Sequence, residues 1–193
     1  MFLPHRFIAV ALPVALVTGL SGCSVLQTPT DAPLTGIAAC ALGHTWQADL
    51  DDIAAQVLTK LQGSGVAVTG VVATGEQSLE WSTDSRVVLT TDYVLTITTT
   101  PATGQVLTIV ETHSGTATGA VYINGEVAIP RTWDGTGVSI ETVADNNGAP
   151  VEEITISIPA TSFDDAVGLE LTCNGGAMTI HPRGSSITQK WSS

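Results

Sequence analysis

Beyond Gly65 the chain alternates. Tyr93, Leu95 and Ile97 share one side of a run. Ile154, Ile156 and Ile158 repeat the pattern, as do Leu169, Leu171 and Cys173, with Thr, Ser and Glu in between. A period of two predicts extended strands with one buried face, and strands with one wet face pair antiparallel. Turn formers punctuate the run. Asn124-Gly125, Asp145-Asn146-Asn147-Gly148 and Asn174-Gly175-Gly176 suit tight hairpins, because Asn and Gly tolerate positive φ. Segments 66–72, 79–81, 86–89, 93–99, 105–112, 118–123, 127–129, 138–143, 153–158, 168–173, 177–181 and 187–191 read as strands. Many one-sided strands in sequence predict a meander that curls on itself.

One helix precedes them. Leu50, Ile53, Val57, Leu58 and Leu61 form a stripe of helical period, over about 48–62. Asp49 can cap it, Asp51 and Asp52 suit the positive end of its dipole, and Lys60 suits the negative end. Gly63-Ser64-Gly65 stops it. The expected fold class is therefore mainly β with an α+β arrangement.

The N-terminus is a different kind of segment. Arg6 opens it, residues 7–19 are almost wholly apolar with Pro13 inside, and Leu20-Ser21-Gly22-Cys23 follows. A positive start, a short apolar core and small residues before a cut form a signal-peptide pattern. A membrane-spanning helix needs about 20 apolar residues, more than this run holds. The tetrapeptide resembles the lipobox of bacterial lipoproteins, in which the cysteine is lipidated and the preceding peptide removed. That resemblance implies residues 1–22 as a cleaved signal peptide and Cys23 as an acylated membrane anchor carrying two or more chains, since one chain binds only marginally. Ile37-Ala38-Ala39-Cys40 fits the lipobox loosely but lies behind a polar, proline-containing stretch, and is set aside. Residues 23–39 read as a flexible tether, rich in Thr and Pro, and 40–193 as one domain.

Three cysteines follow from this arrangement. With Cys23 assigned to lipid, Cys40 and Cys173 remain for an oxidising compartment, where they are expected to pair. The formal charge is −12, and Lys60, Arg86, Arg131, Arg183 and Lys190 are scattered. Phosphate binding needs clustered cations, so nucleic acid is not an expected partner. The membrane is, through Cys23.

A second resemblance rests on Gly43-x-x-Trp46, Leu79, Thr118-Gly119, Cys173-Asn174-Gly175-Gly176 and Trp191, spread over most of residues 40–193. In this order, around an acidic helix and a meander, they are similar to a group of actinobacterial cell-envelope lipoproteins. The resemblance implies a lipocalin-like barrel or half-barrel of about eight to ten strands. Lipocalins carry Gly-x-Trp, and here one more residue separates the pair.

No pattern for chemistry stands out. Glu111 and His113 lie two apart on one strand face and read as an exposed polar pair; His181 likewise faces outward, and His44 stands alone. No H-E-x-x-H or cysteine pair supplies a metal set, so neither metal nor cofactor is expected. Ser64 lacks a nucleophile-elbow spacing and S-x-x-K is absent. Asp145 and Asn147 suggest a calcium loop, but Pro150 stands where a glycine is needed. Glu152-Glu153 and Asp164-Asp165 are acid pairs of the kind that hydrolyse glycans, here read as solvated.

Trp81 shares the phase of Leu79 and reads as core. Trp133, beside Arg131 in Arg131-Thr132-Trp133-Asp134-Gly135, reads as a turn aromatic, and the two form a candidate contact surface for an envelope glycan or protein. The expectation is a non-enzymatic, membrane-anchored binding or structural protein with an apolar interior. A cavity of roughly 300 Å³ or more would favour an apolar, lipid-like ligand. A cleft uniting His113 or the acid pairs would favour an envelope hydrolase.

Overall fold

The alternation is carried by strands longer than the sequence suggests. In a computed structural model that describes residues 34–100, 104–152, 156, 158 and 168–193, ten antiparallel strands form one sheet. They are β1 (His44–Ala48), β2 (Val68–Trp81), β3 (Arg86–Thr99), β4 (Leu107–Asn124) and β5 (Val127–Asp134). β6 (Val138–Asn146), β7 (Ala149–Pro150), β8 (Leu169–Asn174), β9 (Ala177–Pro182) and β10 (Gln189–Ser192) follow. Eight of them close a ring of pairings in the order β3-β2-β1-β10-β9-β8-β5-β4, with β4 returning to β3. β6 and β7 stand outside it.

Expected segments 66–72 and 79–81 merge into β2, and 86–89 with 93–99 into β3. Likewise 105–112 and 118–123 become β4. The polar Gly, Thr and Ser residues between them look like turns, yet neighbouring strands pair with them throughout. Gly75 shows why glycine belongs inside β2. Its φ is +110°, and a Cβ there would overlap the Asp92 carbonyl of β3. This is a bend with close backbone approach rather than a break. The hairpins fall where expected, around Gly125-Glu126, Asn147-Gly148 and Gly175-Gly176. The expected strand 153–158 lies largely outside the described residues; Ile156 and Ile158 are half-buried and pack on the helix-side core.

The meander is also interrupted. β4 pairs with β3 along 107–120, but its other edge is divided: β6 takes 107–115 and β5 takes 118–124. β5 pairs onward with β8, so β6 leaves the ring at the Asp134–Val138 connection. Thr116 N–H donates to the Gly137 carbonyl at this fork (3.2 Å).

Two hydrophobic clusters result. One fills the ring with Trp46, Leu79, Trp81, Val87, Leu89, Val121, Leu169, Leu171, Met178, Ile180 and Trp191. The other packs Leu95, Ile97 and Ile109 against Ile53, Ala54, Val57 and Leu61 of α2 (Leu50–Gly63). α2 begins as expected, with the Asp49 side chain accepting from Asp52 N (2.9 Å). Ser64 closes it, its Oγ donating to the Leu61 carbonyl (2.8 Å).

Gln56 fastens α2 to the connection before β10. Its Nε2 donates to the Thr188 carbonyl (2.6 Å), and its Oε1 accepts from Thr188 N (2.9 Å). The amide thus copies a strand's pairing. Gln56→Ala is expected to lower stability by about 1–3 kcal/mol, because two half-buried backbone groups lose their partners. A denaturation midpoint equal to wild type would rule this out.

Three elements were not expected, one of them the two-residue β7. β1 joins β2 to β10 and thereby closes the ring. α1 (Gly36–Ala41) takes up the last residues assigned to the tether, which therefore ends earlier. The physical reason is burial: Ala41 is fully buried, and its carbonyl accepts from Trp46 Nε1 (3.0 Å). The Cys40–Cys173 disulfide forms as expected, tying α1 to β8 with Cα atoms 5.9 Å apart. The signal segment, Cys23 and the tether before residue 34 lie outside the described residues. No helix among the described residues is long and apolar enough to cross a membrane.

Candidate functional site: a cavity between two cores

Between the two clusters the inward-facing positions change character. Following β2 back from Trp81 and Leu79 brings Gln77 to the inner face; following β3 forward from Leu89 brings Thr91. Both are 3 % exposed, and they sit opposite each other in register. One step along, Tyr93 pairs with His113 of β4. His113 is only 4 % exposed, which corrects its reading as an outward residue. Its ring stacks on Tyr93, centroids 4.3 Å apart and planes within 10°. His113 Nε2 lies 3.4 Å from Glu111 Oε2, and that carboxylate is largely buried as well. The interior is thus not uniformly apolar.

These residues line a cavity of about 230 Å³. Gln77, Thr91, Tyr93 and His113 form one side, while Leu89, Ala117, Val138 and Ile140 supply apolar wall. Ile140 of β6, which also lines it, is 50 % exposed. The Oε1 of Gln77 is buried without a hydrogen-bond partner among the described residues. A buried acceptor without a partner costs about 1–3 kcal/mol, so the Gln77 amide gains by turning toward a guest that supplies a donor.

Trp133 completes the wall. It belongs to β5 rather than to a turn, and a bulge brings it inward. The register between β4 and β5 shifts at Thr118/Ala120, and Thr132 takes a φ of +50°. A β-branched residue in the left-handed region is strained. Here the bulge reverses the strand's phase after exposed Arg131 and turns the indole over Gly119. A Cβ on Gly119 would come within 2.9 Å of that ring. Arg131 remains exposed and does not line the cavity, whereas half-buried Trp133 does.

The turn behind Trp133 is held by Asp134. Its Oδ1 accepts from the Thr136 hydroxyl (2.7 Å) and Thr136 N (3.0 Å). These bonds, the hydroxyl's foremost, hold the carboxyl below its ordinary pKa of 3.8. A depressed folded pKa means the contribution is complete above 3.8 and is lost as pH falls through the lower folded value. Amide protection at 135–138, measured against intrinsic exchange, should therefore fall in that acidic window, and Asp134→Asn should lack the pH dependence.

The other candidates stand apart. His44 is exposed, edge-on to Trp46 with centroids 5.7 Å apart. His181 is half-buried, with Nδ1 3.0 Å from the Thr188 hydroxyl. Asp145 and Asn147 serve their own hairpin and its neighbour: Asp145 Oδ1 accepts from Gly148 N (2.9 Å), and Asn147 Oδ1 from Val106 N (3.0 Å). Glu152 is exposed, and 153 and 164–165 lie outside the described residues. Among the described residues no three His, Cys, Asp or Glu side chains converge on a metal position.

Sequence reasoning missed Gln77 and Thr91. The signal was the phase of Leu79 and Leu89, obscured by breaking each strand at its polar middle. The chain is a mainly antiparallel β protein, with a closed ring of strand pairings and a small cavity, apolar over most of its wall and polar on one side, at the junction of its two cores. No family model, curated protein or solved structure matches it.

Proposed function

We propose that this protein is a lipid-anchored binding protein of a bacterial cell envelope, of the actinobacterial type, acting on the outer side of the membrane without catalysis. In this reading Cys23 carries the acyl chains, residues 24–35 form the leash, and the ring is a small relative of the lipocalin barrel. The cavity, with a Gln77 Oε1 that has no partner among the described residues, carries the binding role. An interior built only for stability would be better filled with apolar side chains, since an unsatisfied buried polar atom destabilises the fold. The volume of about 230 Å³ falls below the roughly 300–1,000 Å³ of drug-sized pockets. A small polar-ended molecule therefore suits it better than a lipid-like one.

Native mass spectrometry of the protein from its own host tests the binding role: a co-purified small molecule supports it, and a bare protein argues for a structural role. Cys23→Ala is expected to move the protein out of the membrane fraction altogether. Unchanged retention, or an intact precursor without lipid, would end the anchor assignment.

A further inference from the structure

We propose that the cavity takes an uncharged aromatic molecule of one or two rings bearing an N–H or O–H donor, an inference that rests on the small-molecule-binding reading above. Four observations converge on this chemistry. The first is the acceptor: Gln77 is 3 % exposed, lines the cavity, and its Oε1 has no partner among the described residues. The oxygen is shielded from the cavity space as it stands, so the side-chain amide turns to meet a guest, and only a group that donates a hydrogen bond then satisfies it.

The second is size. The space is about 230 Å³, whereas an apolar protein cavity of about 150 Å³ accommodates benzene. One substituted ring or a fused pair therefore fits. The third is the wall, where the Tyr93–His113 stack and the Trp133 indole meet aliphatic Leu89 and Ile140. Aromatic faces and edges favour another ring over a flexible chain, because ring contacts add to the area buried. The backbone is arranged for this: the bulge at strained Thr132 and the bare Gly119 together give Trp133 its place.

The fourth is charge. Among the described residues no Asp, Glu, Lys or Arg lines the cavity, so an ionised ligand would be desolvated there without a counter-ion, which is costly.

Isothermal titration of the protein purified from its host separates these elements, using indole and benzofuran as probes. The two share a bicycle, and only indole has the N–H donor. Indole-3-acetate and tryptamine add a negative and a positive charge, and dodecanol carries a donor on a chain. Indole is expected to bind about tenfold more tightly than benzofuran, and both charged derivatives more weakly than indole. In Gln77→Leu, the preference of indole over benzofuran should shrink to within about twofold. The comparison within the wild type stands even if that variant folds poorly.

Equal binding of indole and benzofuran, or tighter binding of a charged derivative or of dodecanol, overturns this inference and leaves the binding role standing. Silence from all the ring compounds while native mass spectrometry still detects a ligand does the same. Silence from every probe together with a bare protein removes both.

Discussion

Replacing both bridge cysteines, in Cys40→Ser/Cys173→Ser, is expected to lower the unfolding free energy by about 5 kcal/mol. The bond closes a loop with a sequence separation of 133, and chain-entropy arguments assign about 4–5 kcal/mol to closures of that length. The two cysteines also hold α1 against β8, and α1 brings buried Ala41 and the partner of Trp46 Nε1. Chemical denaturation gives the comparison directly. The variant should unfold at much lower denaturant, and wild type treated with a reductant should match it. A loss below about 1 kcal/mol would mean that packing alone seats α1.

Gly115→Ala is the second large effect, expected at about 4 kcal/mol. Gly115 occupies the fork at which β4 passes from β6 to β5 as partner, and its φ is +110°. A Cβ there would overlap the Gly137 carbonyl. A left-handed non-glycine residue is strained by about 1–3 kcal/mol, and displacing packed backbone adds about as much. Gly148→Ala provides the control. It too has positive φ, +82°, but a Cβ would meet nothing within 4 Å. It should cost only about 1 kcal/mol. Equal losses at the two positions would show that backbone conformation, not the approach of Gly137, sets the penalty.

The parts of this fold that could be read in advance are those where neighbouring residues determine one another. The stripe of Ile53, Val57 and Leu61 is local, and so are the Asp49 cap and the Gly-containing hairpins; each stands as expected. Elements that depend on distant partners were harder to see. β1 is a strand only because β2 and β10 flank it. α1 is held by a disulfide to a residue far along the chain. The strands were cut short because Gly75, Thr91 and Ser114-Gly115 look like turns when their cross-strand partners are unknown. The same cut hid the site. Once β2 and β3 are continuous, the phase of Leu79 and Leu89 carries Gln77 and Thr91 inward, and the phase of Ala117 carries His113. Trp133 offered no such route, because one left-handed threonine reverses the alternation of β5 just before it.

The disulfide also determines how the molecule bears tension. A pull on the N-terminal side, against resistance at the C-terminal end, reaches Cys40 and passes through the covalent bond to Cys173. Along the covalent path the chain between them is bypassed, and load reaches it only through the pairing of β10 with β1 and the Gln56–Thr188 bonds. The bypassed stretch includes α2, the β4 fork and every residue named here as lining the cavity. Among the described elements, the covalent line of force runs through α1 before the bond and through β9 and β10 after it.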